Sequence, residues 1–152
     1  FPDHGDEMLD EEAFDRLLWR HLSLLASAPE YNFAWDPKFS DNPLDRNFCF
    51  SFAGRAMFVV GLHRGSSRIA RRFKYPALIF NVFDQFNDLM RQNRYQPMVD
   101  TIRARDTRLQ GTVNPMSEQY GEQWESIQFS GRNNPPQWKC PFQHLGPPKI
   151  RP

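Results

Sequence analysis

The stretch Phe48-Cys49-Phe50-Ser51-Phe52-Ala53-Gly54-Arg55-Ala56-Met57-Phe58-Val59-Val60-Gly61-Leu62-His63 decides the fold. Phe48, Phe50 and Phe52 alternate with Cys49 and Ser51, the period of two expected of a half-buried strand. Ala53-Gly54-Arg55 supplies a turn, and Ala56 to His63 reads as the second strand of a hairpin. That strand is apolar on both faces, which predicts a central place in its sheet.

Working upstream, Phe14, Leu17, Leu18, His21, Leu22 and Leu25 recur at helical spacing and predict one helical face. Asp10 is placed to cap this helix, and Glu11 and Glu12 suit the positive end of its dipole. Leu9 and Phe14 have the spacing of a hydrophobic staple. Pro29 ends the helix. Residues 29–47, with Pro29, Pro37 and Pro43, read as loop.

Downstream, Gly65-Ser66-Ser67 is expected to open a short helix carrying Arg68, Arg71 and Arg72. Ala77 to Phe80 reads as a short strand. A second long helix is expected from Val82, Phe83, Phe86, Leu89 and Met90. A third begins near Pro97, with Pro97 at its first position and Val99, Ile102, Asp106 and Leu109 on one face. Gly111 is placed to end it. Beyond Thr112 the periodicity stops. The tail, with Trp124, Trp138 and six prolines from 115 to 148, is expected to pack on the domain through its aromatics. The expected class is therefore α+β: a small, mainly antiparallel sheet against several helices, with an irregular aromatic-rich C-terminal tail, all one domain over residues 1–152.

Composition agrees. The chain has 152 residues, of which 39% are hydrophobic, with fourteen Phe, four Trp and four Tyr. That is enough apolar area for one core. A net charge of +1 points to neither nucleic acid nor membrane, and no apolar run approaches the ~20 residues of a membrane span. Two cysteines make no disulfide scaffold, which points to the cytoplasm. The chain opens at Phe1 on an acidic stretch, and it reads like the interior of a longer protein.

Three constellations carry chemistry. His63 stands where an apolar strand turns toward a helix start, suited either to ligating iron or acting as acid or base, or to a core position bonded to backbone. Arg64, Arg68, Arg71, Arg72 and Lys74 crowd eleven residues. Arg68, Arg71 and Arg72 would share a helical face, with the Gly-Ser-Ser amides as an anion site. The alternative is a solvated face paired with the acidic N-terminal stretch. Nucleic acid suits this patch less well, because only Phe73 and Tyr75 offer stacking surfaces. Cys140, beside Lys139 and His144, is either a thiolate ligand or a buried small apolar residue. Zinc spacings, nucleotide-binding glycine loops and the Gly-x-Ser-x-Gly elbow are missing from the sequence.

The ordered motifs Phe48–Gly54, Phe58–His63, Ser66-Ser67-Arg68, Arg71-Arg72-Phe73, Ala77–Asn81, Ile102–Asp106, Gln110-Gly111, Asn114-Pro115, Phe129–Arg132, Trp138 and Cys140-Pro141-Phe142 resemble the YqcI/YcgG family. The resemblance implies a haem-dependent oxygenase of the guanitoxin-biosynthesis type. It would use haem b, dioxygen and an electron donor to N-hydroxylate or N-oxidise a guanidine, amine or aminoimidazole-type nitrogen of a small substrate. It implies His63 as the iron ligand, with Cys140 as alternative. Arg68, Arg71 and Arg72 would hold propionates or a substrate carboxylate, and Phe50 and Phe58 would help form the apolar pocket. Catalytic residues stay unassigned. The family pattern also implies a preceding segment with a cysteine of its own. Arg64 and Arg55 depart from it, standing where proline and an acidic residue are common. A haem-binding sensor without turnover and a metal-free anion-binding domain are the alternatives. A homodimer is compatible with the aromatic surplus.

Overall fold

Asp10 starts the first helix, its carboxylate accepting the Ala13 N–H at 2.7 Å. This helix, α1 (Glu11–Ser27), stops at Ala28, before Pro29. The structure, a computed structural model, describes residues 8–31, 33–115, 125–135 and 137–145. The buried stripe of α1 is Phe14, Asp15, Leu18, Trp19, Leu22, Ser23 and Ala26. It is rotated from the face predicted by Leu17, His21 and Leu25, because the large Trp19 is drawn into the core.

The hairpin forms as β1 (Ser51–Phe52) and β2 (Arg55–Leu62). Phe52 opposes Arg55, leaving Ala53 and Gly54 as a two-residue loop. Their φ values of 51° and 76° are those of a type I′ turn, whose twist matches the strands. The first strand is shorter than the Phe alternation predicts. Phe48, Cys49 and Phe50 are all buried, so the segment has no solvent face. Asp36 anchors the hairpin: its carboxylate accepts the Ala56 N–H at 3.0 Å, and its own N–H donates to Ser51 Oγ at 3.0 Å.

Strand β3 (Ala77–Val82) pairs antiparallel with β2, giving the order β1-β2-β3 with β2 central, as expected. Alternation then divides the sheet. Met57, Val59 and Gly61 face α1 and join a core of Phe14, Leu18, Leu22, Phe48, Phe50, Phe129 and Phe142. Gly61 is required there. A Cβ on it would stand 2.7 Å from Phe14 and 2.9 Å from Leu18. Phe58, Val60 and Leu62 face the other way.

Helices α2 (Asp84–Arg91) and α3 (Tyr95–Gln110) follow β3, and no residue of either is fully buried. Pro97 is the third residue of α3, not the first. Gly111, at φ 83°, ends it by donating its N–H to Thr107 O at 2.7 Å. The described part of the tail packs as expected. Ile127, Phe129, Trp138, Cys140 and Phe142 enter the core, and Gly61 N–H donates to Phe129 O at 2.7 Å. Trp124 lies outside the described residues. The result is an α+β fold with its core on the α1 side of the sheet. Among the described residues no helix is long and apolar enough to cross a membrane.

Candidate functional site

The sheet's second face is only loosely covered. Between it, α2, α3 and the turn Glu125–Gln128 lies a cavity of about 630 Å³. That volume falls in the range of small-molecule sites. Phe58 and Val60 form its floor, and Phe86, Tyr95, Val99, Ile102 and Leu109 form its apolar walls. Ile102 and Leu109 are 56% and 51% exposed, because α3 stands off the sheet.

One wall is charged. Arg68, Arg71, Arg103 and Arg105 face Asp106 and Glu125 around the cavity, a surplus of positive charge. Arg68 pairs with the Asp106 carboxylate and also donates to Thr112 Oγ1 at 3.2 Å and Thr112 O at 3.0 Å. Asp106 accepts the Asn114 N–H at 3.0 Å as well. Arg71 is spent differently. It donates to the carbonyls of Gly61 at 3.1 Å, Phe129 at 3.3 Å and Gln128 at 3.2 Å, tying β2 to the tail. Burial lowers its pKa to about 10, with Asp106 opposing that shift. It stays charged at neutral pH.

The segment carrying these arginines is a single 3-10 turn, Ile69–Arg71, rather than the expected helix. The predicted anion site at Gly-Ser-Ser is filled from within. Glu11 accepts the Ser67 N–H at 3.0 Å and its hydroxyl at 2.7 Å. Arg72 does not join the cavity lining; its Nε donates to Ser66 O at 2.8 Å. Gln110, at the end of α3, grips the same turn through Ile69 N–H at 2.8 Å and Ser67 O at 3.2 Å.

His63 lies on the α1 side. Its ring is 1% exposed, stacks on Phe14 at 4.2 Å, and places Nδ1 3.3 Å from Leu9 O. Burial pushes its pKa below the usual histidine value, so the neutral ring is favoured. Phe50 is in the core, in edge contact with Phe142 and Trp35. Cys140 is buried there too, its thiol pushed up to about 12 by burial, and Cys49 matches it. Both are free thiols. Of the residues singled out in the sequence, the cavity therefore gathers Phe58, Arg68 and Arg71. His63, Arg72, Phe50 and Cys140 are placed elsewhere. The cavity is assembled from five segments: β2, the Arg68–Arg71 turn, Phe83 with α2, α3 through Asn114, and residues 125–128. Asp106, a carboxylate on the otherwise apolar face of α3, is a further sequence signal.

A family model matches residues 1–143. The chain belongs to the YqcI/YcgG family. No curated protein and no solved structure matches it. In this YqcI/YcgG member the cavity sets an apolar floor beside an arginine-rich wall. It does not supply the expected histidine. Among the described residues no His or Cys is in its lining, while Tyr95 and Met98 are there, both of residue types that ligate haem iron in other proteins. Among the described residues there is no cluster of three or more His, Cys, Asp or Glu able to hold a metal ion directly.

Proposed function

We infer that this cavity binds a small amphipathic molecule, and that the chain is a haem-dependent oxygenase of a guanidine, amine or aminoimidazole nitrogen. The observation that carries the binding site is the second face of β2, left apolar and open beneath an arginine-rich wall. The family resemblance carries the chemistry. Haem b, when bound, supplies dioxygen activation, with electrons from a separate donor.

This chain's own residues bind and position. Phe58, Val60 and Ile102 offer an apolar surface to a ring. Arg103 and Arg105 present charge to carboxylates, and the Arg68–Asp106 pair braces that wall. Asp106 and Glu125 are the carboxylates suited to accept N–H bonds from a guanidine or amine. No step is assigned to His63, because its ring lies away from the cavity.

That displacement favours a second reading, a metal-free site for an organic anion. Expression with haem precursor, followed by an absorption spectrum, separates the two. A Soret band, together with oxygen-dependent product from an amine or guanidine, supports the oxygenase. A Soret band without product indicates a haem-binding protein. No Soret band with retained binding of an aromatic carboxylate indicates the metal-free site.

A further inference from the structure

Gln110 closes α3 but does not line the cavity. Its side chain reaches instead to the backbone of the arginine turn. The carboxamide oxygen accepts the Ile69 N–H at 2.8 Å, and the nitrogen donates to Ser67 O at 3.2 Å. Only one orientation of the amide fits, because Ile69 offers a donor and Ser67 an acceptor. The two bonds straddle Arg68, whose side chain lines the cavity beside Asp106.

The helix end sets up this reach. Gly111 turns back at φ 83°, so Gln110 is the last helical residue. The same reversal returns Thr112 to Arg68, whose guanidinium donates to its hydroxyl and carbonyl. Apolar packing does little to fix α3, since none of its residues is fully buried. Its spacing from the turn therefore depends on the polar contacts at this end. Arg68 and Asp106 line the cavity and can touch a ligand; Gln110 can act only through them. Glu11 holds Ser67 from the α1 side, so the turn has a second anchor when Gln110 is removed. What Gln110 adds is the tie between the turn and α3.

We propose that Gln110 is a positioning residue. By gripping the backbone on both sides of Arg68, it holds the cavity's charged wall at the spacing that an anionic group of the ligand needs. This rests on the cavity's being the ligand site.

The test is binding of two probes to the full chain, haem and naphthoate, with circular dichroism and urea unfolding recorded for every variant. Affinity for a probe that wild type binds is expected to fall about tenfold in Gln110→Ala at neutral pH. Gln110→Asn, one methylene short, should bind as weakly. Gln110→Glu supplies the readout that a brace for stability alone would not move. Its carboxylate accepts from Ile69 but has no proton for Ser67 O, whereas the neutral acid serves both. Its affinity, taken as a ratio to wild type at the same pH, is expected to be low at neutral pH. The ratio should recover as the pH falls toward the glutamate range, about 4.3. Gln110→Ala should show no recovery. Glu11 and the Arg68–Asp106 pair, the charged groups on the turn, are common to wild type and variant, so the ratio isolates position 110. Equal affinity in wild type and all three variants overturns the positioning role and leaves the cavity reading standing. A Gln110→Glu ratio that does not move with pH also overturns it, and decides alone where Gln110→Ala fails to fold. A wild type that binds neither probe overturns the cavity reading and this proposal with it.

Discussion

Arg68 and Asp106 form an ion pair that joins the turn after β2 to α3, with side chains only 11% and 14% exposed. The pair holds the charged wall of the cavity at a fixed distance from its floor. Removing the carboxylate leaves a guanidinium enclosed without its counter-charge. Asp106→Ala is expected to cost about 3–5 kcal/mol in denaturant unfolding. The double variant Asp106→Ala/Arg68→Ala should cost less than the sum of the two single changes. Additive losses would show that the pair is not coupled.

Gly61 is the contact point of β2 and α1. Its hydrogen faces Phe14 and Leu18, and Phe129 O lies 2.9 Å from where a Cβ would stand. Gly61→Ala is expected to overpack this junction and cost about 1–3 kcal/mol. Gly111→Ala, with open space around it, should show only the strain of its positive φ. Thermal unfolding of the two variants, measured side by side, distinguishes packing from backbone conformation.

Stability should respond to acid through two buried groups in opposite ways. His63 has a folded pKa below 6.5, so the folded state binds fewer protons than the unfolded one; its contribution is full above that value and declines as pH falls through it. Burial raises Asp15 above 3.8, opposed by its bonds to Ser130 and Trp19. Its folded state therefore keeps a proton longer, and stability from Asp15 is lost as pH rises above 3.8. His63→Gln should flatten the loss below 6.5. Asp15→Asn, which keeps an acceptor for Trp19, should flatten the acid-side slope and raise the melting temperature at pH 7. Melting temperatures recorded across pH 4 to 8 would read both effects.

Cys49 and Cys140 are buried, with thiols pushed up to about 12. Neither should react with a thiol reagent in native buffer, because the thiolate is scarce and the sulfur enclosed. Both should label on unfolding. Fast native labelling of Cys140 would mean that the Trp138–Phe142 segment opens, and would restore Cys140 as a ligand candidate.

These expectations show where local sequence was informative. The hairpin was legible because Phe alternation and an Ala-Gly turn act over neighbouring residues. The α1 start was legible because Asp10 caps within one turn. The central position of β2 followed from its two apolar faces. The arginine segment has the spacing of a helix but forms only a 3-10 turn, and Glu11, 56 residues away, satisfies Ser67 in place of a continuing helix. For His63 the residues offer two readings, an iron ligand or a core histidine bonded to backbone; one residue past β2, it lies on the side of Met57, Val59 and Gly61, buried with Nδ1 beside Leu9 O. The cavity was invisible for a similar reason. Its walls come from β2, the Arg68–Arg71 turn, α2, α3 and residues 125–128, and only tertiary packing brings them together.

The central claim is that the cavity above Phe58 and Val60 is the ligand site, and haem titration followed at the Soret band tests it most directly. Wild type should saturate at one haem per chain, and Val60→Trp, which fills the floor, should lose that binding while keeping its circular dichroism spectrum. Saturation undiminished in Val60→Trp would contradict the assignment, as would a wild type that binds neither haem nor an aromatic carboxylate.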